Sequence, residues 1–246
     1  MDSTAADPTV SRGKMTTPIQ PGSIFIIVPA YNEAAELGRT LQPLLDAGYT
    51  VVAVDDGSTD RTWEAMGQLP IVRLRHAANL GQGAALATGL VYAERHAATA
   101  AVTFDADGQH DPTQIPRLLD PIFAGEADVV LGSRFLDPRD ARLVPPARRF
   151  VLKGGIAVNG LFTGVWLSDA HNGFRALSRR ALEQIRLREN GFAHATEILE
   201  ELRRTGLRYQ EVPTRVTYSR YSLAKGQPSF NCLGILFDLA MRRVLP

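Results

Sequence analysis

The sequence has little of three features that would place it in other classes of protein. It has one cysteine, Cys232, so the chain has no internal disulfide and no cysteine cluster for a metal, which fits a reducing compartment. Lysine and arginine number 27 and aspartate and glutamate 26, so the net charge of +1 gives no electrostatic case for a nucleic-acid partner. No apolar run is long enough to span a bilayer, and the first residues lack the apolar segment of a signal peptide.

Hydrophobic residues make up 45% of the 246 residues, which is typical of a globular protein with a substantial core. Residues 1–22 are polar and contain three prolines, so we predict a disordered tail there, with Met15 as an alternative start. Residues 23–246 are expected to form one domain.

Short apolar runs alternate with amphipathic segments through the first half of the chain. Gly and Asp residues lie between these segments, and Asn32 is expected to cap the first helix. This order predicts an open, mostly parallel α/β sheet with helices on both faces. The predicted strands are residues 24–28, 50–54, 71–74, 100–104 and 128–131, and the predicted helices are residues 33–46, about 60–68, 83–96 and 112–124.

Polar residues follow four of the predicted strands. They are the Tyr31–Glu33 stretch, the Asp55–Asp56 pair, the stretch 105–109 and the Ser133–Arg134 pair. Ligands bind open α/β sheets outside the carboxyl ends of the strands. The coincidence therefore predicts a binding site at that edge of the sheet.

Asp105 and Asp107 stand one residue apart where a strand runs out into Gly108. Two converging carboxylates at a strand end suit Mg²⁺ or Mn²⁺, and such an ion suits a diphosphate. A simple turn is the alternative interpretation, because Asp and Gly are also the residues of turns. The polar ends of the other strands favour the metal site.

The second half of the chain is less regular. Residues 137–149 are rich in proline and arginine and are predicted to form a mobile basic loop. The arginines of this loop, and Arg242 and Arg243 near the end of the chain, either form a solvated surface or contact anionic lipid headgroups. The final helix is expected to contribute to the core, to an oligomer contact or to a membrane-surface anchor. The remaining predicted elements are helices over 150–163, 179–185, 195–205 and 232–244, a polar turn over 168–174, a strand over 209–217 and a polar loop over 218–229.

The motifs V-P-A-Y-N-E, V-D-D-G-S-T-D, N-L-G-Q-G-A-A, F-D-A-D-G-Q-H, G-S-R, D-x-x-N-G-F-R and T-E-I-L-E follow one another along the chain. In this order the chain resembles the inverting GT-A glycosyltransferases of family 2, from about residue 24 to residue 227. It is most similar to the branch that transfers mannose or glucose to dolichyl or polyprenyl phosphate. The resemblance implies a GT-A fold, with residues 23–135 binding the nucleotide sugar and residues 136–246 forming the acceptor half with a C-terminal helix.

The resemblance also implies roles for individual residues. Asp56 would contact the base edge and Arg134 a phosphate, while Arg220 and Lys225 would close over the diphosphate. The implied donor-binding residues are Pro29, Tyr31, Glu33, Asp55, Asp56, Asp105, Ala106, Arg134, Arg220 and Lys225, the implied metal ligands are Asp105, Asp107 and Gln109, and the implied catalytic residues are Asp107, Asp169, Glu197 and Arg175.

Four side chains keep alternative interpretations. Asp169, near the acceptor with Asn172 and Arg175, is a candidate general base. Glu197 is the second candidate, or else it pairs with Arg175 or Arg203. His110 is either a metal ligand or a solvated loop residue, and His171 is similar.

The function expected from the resemblance is inverting transfer of a hexose from a GDP- or UDP-sugar, with Mg²⁺ or Mn²⁺. The acceptor would be a polyprenyl phosphate, which needs no strong base, or a saccharide hydroxyl in surface-polysaccharide assembly, which does. We expect a cytoplasmic protein, free or peripheral on the cytoplasmic membrane face. The rival interpretations are a scaffold that binds nucleotide sugars and a sugar-phosphate nucleotidyltransferase, although the latter would need a glycine-rich loop where Pro29–Glu33 stands.

Overall fold

A computed structural model describes residues 23–144, 146–169, 172–191 and 193–217. Seven strands in this part of the chain form one sheet in the order β3-β2-β1-β4-β6-β5-β7. The strands are β1 (Ile24–Ala30), β2 (Thr50–Asp55), β3 (Val72–Arg75), β4 (Ala100–Thr103), β5 (Val129–Ser133), β6 (Arg175–Ser178) and β7 (Tyr209–Pro213).

Helices cover both faces of this sheet. A 3₁₀ turn over Pro112–Gln114 leads directly into one of them. The helices are α1 (Leu37–Asp46), α2 (Thr62–Met66), α3 (Gln82–Arg95), α4 (Ile115–Phe123), α5 (Pro138–Ala141), α6 (Pro146–Thr163), α7 (Arg179–Gln184) and α8 (His194–Thr205).

Alternate residues of β1 enter two separate hydrophobic cores. Ile26 and Val28 pack with α1 and α4, whereas Ile27 packs with α3, α7 and α8 on the other face. All seven residues of β1 are buried, as a strand covered on both faces requires. The parallel strands β1, β2 and β4 end at the same edge, where Ala30 lies opposite Asp55.

The predicted fold class is confirmed, but one strand is missing from the prediction. β6 runs antiparallel between β4 and β5, in the four residues between a predicted polar turn (168–174) and a predicted helix (179–185). The strand has four residues and begins with the buried Arg175. The strand therefore has too few apolar residues to show the alternation by which a strand is predicted from sequence. The predicted strand over 209–217 is also too long, because β7 ends at Pro213.

The prediction of a mobile loop over residues 137–149 is wrong for the described residues. Pro138 is the first residue of α5 and Pro146 the first residue of α6. Proline suits the first helical position, because the N–H that it lacks has no partner there. The predictions for residues 1–22 and 218–246, including Met15, Arg220, Lys225, Cys232 and the C-terminal helix, lie outside the described residues.

The packing of α3 on β1 depends on Gly89. A Cβ atom at this position would lie 2.3 Å from Cγ2 of Ile27, a side chain with no solvent exposure. We predict that Gly89→Ala lowers the free energy of unfolding measured in urea, because overpacking costs about 1–3 kcal/mol and exceeds the gain in helix propensity of about 1 kcal/mol.

Gly154→Ala in α6 is the matched control. No atom lies within 4 Å of a Cβ at that position, so the substitution should leave stability unchanged or raise it by up to about 1 kcal/mol. Equal effects of the two substitutions would contradict the close packing of α3 on β1.

Candidate active site

The loops that follow β1 and β2 are tied together by hydrogen bonds. Asn32 has a positive φ of 55° and its side-chain oxygen accepts the N–H of Thr59 (2.9 Å) and of Asp60 (3.3 Å). The N–H of Glu33 donates to Thr62 Oγ1 at 2.8 Å. Asn32 is thus a link between two loops, and the prediction that it caps α1 is wrong, since α1 begins at Leu37.

Asp55 and Asp56 are both buried at the end of β2. Asp55 accepts the N–H of Ser58 and forms an ion pair with Arg75, whose Nε lies 3.0 Å from Oδ2. Asp56 accepts the N–H groups of Leu80 (2.9 Å) and Gly81 (2.7 Å), and Nδ1 of His76 lies 2.7 Å from its Oδ1. Asp56 therefore fixes the loop that leads into α3, and its contact with a base edge stays a prediction.

The other residues implied for the donor pocket lie at the ends of the same strands. Pro29 is near the end of β1, opposite Val54. Tyr31 is 40% exposed, whereas Glu33 and Ala106 are buried. Tyr31 is thus the most accessible of these four residues.

Asp105 is held from two sides just beyond β4. Its Oδ1 accepts from Nε2 of Gln82, and its Oδ2 lies 3.0 Å from Nε2 of His110. Position 173 must be glycine for this arrangement, because a Cβ there would lie 2.7 Å from Oδ2 of Asp105. Asp107 accepts the N–H of Gln109 at 3.0 Å, and the side-chain amide of Gln109 lies against the same carboxylate.

The two carboxyl groups differ in pKa. Burial raises the pKa of Asp105, but its hydrogen bond to His110 and the charges of His110, His194 and Arg175 together lower it below the ordinary value. The pKa of Asp107 is raised by burial and by the charge of Asp105. The repulsion between two ionised carboxylates is the kind of interaction that a divalent cation relieves.

The donor set fits a cation that also binds a diphosphate. Mg²⁺ is usually bound by one or two carboxylates, with the substrate phosphates and water completing its coordination. Asp105 and Asp107 supply two carboxylates, and the amide oxygen of Gln109 is a third hard donor. Among the described residues no group of three or more His, Cys, Asp and Glu side chains forms a metal cage, so a fully protein-bound ion is not indicated there.

His110 is neither a solvated loop residue nor directed away from the carboxylates. Its ring is buried, stacks on Phe174 at 4.8 Å and meets Phe104 edge-on at 5.6 Å. The neighbouring Gln109 carbonyl accepts the N–H of Thr217 at 2.9 Å. The chain therefore passes beside the Asp105–Gln109 turn at residue 217, immediately before the undescribed residues that include Arg220 and Lys225. His171 also lies outside the described residues.

Arg134 and Asp169 form a buried ion pair with two side-chain hydrogen bonds. Nε of Arg134 donates to Oδ2 at 2.6 Å and Nη2 donates to Oδ1 at 2.7 Å. Both side chains are almost fully buried. The structure brings the two residues together, whereas the sequence assigned one to a donor phosphate and the other to the acceptor. Those separate roles stay predictions.

Arg175 lies near two of the carboxylates. Burial lowers the pKa of Arg175 to about 10, while the charges of Asp105 and Asp169 act to raise it. Its position on β6, in register with Thr103 and Leu131, places it between β4 and β5. Asn172 bonds to Thr214 Oγ1 at 3.0 Å and so helps to shape the adjacent turn.

Glu197 lies on the first turn of α8 and contacts main chain. Its two oxygens accept the N–H groups of Arg188 (2.8 Å) and Glu189 (3.0 Å), and burial is the main reason that its pKa is raised. Arg203 donates instead to the carbonyl of Thr163. The predicted ion pair of Glu197 with Arg175 or Arg203 is therefore wrong for the described residues.

Two residues near Asp105 were not predicted from the sequence. Gln82 donates to its carboxylate, and the charge of His194 acts on it. A polar residue between two glycines at the start of α3 is the signal that points to Gln82. His194 gives no comparable local signal.

A family comparison agrees with this geometry. Residues 25–186 match the model of the family described as Glycosyl transferase family 2. The chain belongs to this family. The predicted resemblance and the prediction of a glycosyltransferase are thereby confirmed.

Two curated relatives of this family 2 enzyme carry informative names. One is the UDP-N-acetylglucosamine–dolichyl-phosphate N-acetylglucosaminyltransferase of Methanococcus voltae, which is 31% identical over 90% of this chain and 96% of the relative. The other is the polyprenol monophosphomannose synthase of Mycolicibacterium smegmatis, 30% identical over 82% of this chain and 80% of the relative. They agree with the predicted likeness to the polyprenyl-phosphate branch.

A solved structure supports the fold. Glucosyl-3-phosphoglycerate synthase from Mycobacterium tuberculosis, in complex with Mn²⁺, UDP-glucose and phosphoglyceric acid, matches with a TM-score of 0.60 and 22% identity over 88% of this chain and 79% of that one. The predicted GT-A fold is confirmed.

The buried pair of Arg134 and Asp169 predicts that Asp169 stabilises the fold. Asp169→Asn leaves the buried guanidinium without its counter-charge, so the free energy of unfolding should fall by about 3–5 kcal/mol. Chemical denaturation of the purified variant measures this change.

Glu183→Gln is the control, because Glu183 forms an exposed ion pair with Arg179 at 2.7 Å. Its loss should cost no more than about 1 kcal/mol. A fully stable Asp169→Asn protein would show that the buried pair is not needed for folding.

Proposed function

We propose that this enzyme transfers a hexose from a GDP- or UDP-sugar to a polyprenyl phosphate, with inversion and with Mg²⁺ or Mn²⁺. The observation that carries the proposal is the pair Asp105 and Asp107 at the carboxyl edge of the sheet, beside the linked loops of Asn32 and Asp55. The names of the two relatives supply the acceptor class. Membership of glycosyltransferase family 2 argues against the rival nucleotidyltransferase and scaffold interpretations.

The proposed reaction breaks the bond between the anomeric carbon and the donor diphosphate. The bound cation would supply charge stabilisation to the departing diphosphate, which gains negative charge in the transition state. Asp105 and Asp107 would hold that cation, and His110, His194 and Arg175 keep Asp105 ionised for this role. Gln82 fixes the orientation of the Asp105 carboxylate through its hydrogen bond.

The environment of the two candidate bases favours a phosphate acceptor over a hydroxyl acceptor. A hydroxyl must lose a proton as it attacks, whereas a phosphate monoester is already anionic. Asp169 is bound to Arg134 through both oxygens, and Glu197 accepts two backbone N–H groups. The pairing with Arg134 stabilises Asp169 as a carboxylate and so opposes proton abstraction by it, and both oxygens of Glu197 are already occupied by backbone N–H groups. This supports the polyprenyl phosphate and makes a saccharide the second candidate.

Binding of the donor is tested first by thermal unfolding with UDP- and GDP-sugars, each with and without Mn²⁺. We expect one nucleotide to raise the melting temperature only when Mn²⁺ is present, because a ligand that binds the native state stabilises it. Asp107→Asn should abolish the Mn²⁺-dependent part of the shift and turnover with a short polyprenyl phosphate.

Asp111→Asn is the control, since it removes a nearby carboxylate while keeping the cap to the N–H of Thr113. That variant should behave as the wild type. A metal-dependent shift that survives in Asp107→Asn would contradict the proposed site, and transfer to a saccharide but not to the lipid phosphate would select the second acceptor.

The structure also supports a peripheral contact with a membrane. Phe150 and Leu161 are 83% and 76% exposed on α6, and Gly154 and Ala157, exposed as well, complete an apolar stripe on one face of the helix, the α6 stripe. Lys153 lies within this face, and its charge suits an anionic lipid surface. The described residues include no helix that is both long and apolar enough to cross a bilayer.

We predict that the double substitution Phe150→Ser and Leu161→Ser weakens binding to vesicles of phosphatidylglycerol and phosphatidylcholine about a hundredfold or more, because each side chain loses an apolar burial of about 1.5–3 kcal/mol. Vesicle sedimentation at two salt concentrations measures it. Val91→Ser, on α3, is the control. Unchanged vesicle binding, or a change of oligomeric state instead, would assign the stripe to another partner such as a second copy of the chain.

A further inference from the structure

The 186–191 segment lies between α8 and the beginning of α3. On the α8 side, Glu201 accepts the N–H of Arg186 at 3.0 Å. Glu197 accepts the next N–H groups of the segment, those of residues 188 and 189. Two carboxylates of one helix therefore hold the main chain of this segment, and Glu197 holds the part nearest to α3.

On its other side the segment contacts the backbone of α3 directly. The carbonyl of Asn190 accepts the N–H of Ala84 at 3.2 Å. A Cβ at Gly81 would lie 2.3 Å from the Asn190 carbonyl oxygen, and one at Gly83 would lie 1.9 Å from the carbonyl oxygen of Glu189. Main chain contacts main chain here. A displacement of the segment would therefore also displace the start of α3, because no side chain lies between them.

The residue between those two glycines is Gln82, whose Nε2 donates to Oδ1 of Asp105 at 3.0 Å. The N–H of Gly81 is fixed in turn by Oδ2 of Asp56 at 2.7 Å. A continuous series of contacts thus leads from Glu197 through the 186–191 segment and Gln82 to Asp105.

We infer that Glu197 is a positioning residue that fixes the first metal-binding carboxylate by clamping the 186–191 segment onto the start of α3. Both of its oxygens accept backbone N–H groups, so it acts on Asp105 through this segment. The inference rests on the proposed function only in taking Asp105 as a cation ligand. It replaces the general-base role that the sequence allowed for Glu197.

Glu197→Gln tests the inference, because the amide keeps one acceptor oxygen but turns an NH₂ group toward the second N–H. Glu201→Gln is the matched control, since it removes a similar hydrogen bond from the same helix to the same segment, further from α3. The first measurement is hydrogen exchange of the amides of residues 81–85. We expect faster exchange in Glu197→Gln and wild-type exchange in Glu201→Gln.

The second measurement is the Kd of Mn²⁺ alone, from the free Mn²⁺ signal in electron paramagnetic resonance. Loss of a group that orients a ligand weakens metal binding, so we expect the Kd to rise about tenfold in Glu197→Gln and not in Glu201→Gln. In the Gln82→Ala background the same Glu197 substitution should add little, because the last contact is already absent.

Three results would overturn the inference. They are unchanged exchange at residues 81–85 in Glu197→Gln, an unchanged Kd for Mn²⁺ with a large fall in kcat, and full additivity with Gln82→Ala. A wild-type protein that binds no Mn²⁺ would refute the proposed metal site instead. The exchange measurement would still decide whether Glu197 holds the start of α3.

Discussion

A carboxylate that is removed from water needs hydrogen bonds or opposite charges close to it. This requirement governs the carboxyl edge of the sheet, where Asp55 and Asp169 are buried and Asp105 is partly buried. Arg75 forms an ion pair with Asp55 and Arg134 with Asp169, while His110 and Arg175 are among the side chains that lower the pKa of Asp105. The arrangement of loops around the edge follows from these pairings.

The antiparallel strand β6 brings the guanidinium of Arg175 to this edge. Inserted between β4 and β5, it starts at Arg175 and places the guanidinium near both Asp105 and Asp169. The same connection carries Gly173 past Asp105, so close that a Cβ at this position would force the carboxylate to move. A continuous parallel sheet would have put an apolar strand at this position. The interruption of the parallel order is therefore part of the site.

Much of this arrangement is readable in the sequence, because it depends on local pattern. Apolar runs that end in Asp55 or Asp105 indicate both the buried strands and the edge at which they stop. Other features depend on contacts between residues far apart in the chain, and no local pattern encodes them. The pair of Arg134 with Asp169 spans 35 residues and the contact of Gln82 with Asp105 spans 23. β6 was not predicted for a different reason, because its first residue is charged.

The pairing of these charges also bears on how an anionic donor would bind. A diphosphate placed beside Asp105 and Asp107 would meet negative charge, and Arg134 at this edge is already paired with Asp169. Under the proposed function a divalent cation is then an electrostatic requirement for donor binding, because it alone bridges two anionic groups without a rearrangement of the buried pairs. The family resemblance assigns two further cations, Arg220 and Lys225, to the stretch that follows Thr217. The N–H of Thr217 itself donates to the carbonyl of Gln109. If those two residues have the implied role, their charge would add to the site while the ion pair of Arg134 with Asp169 stays intact.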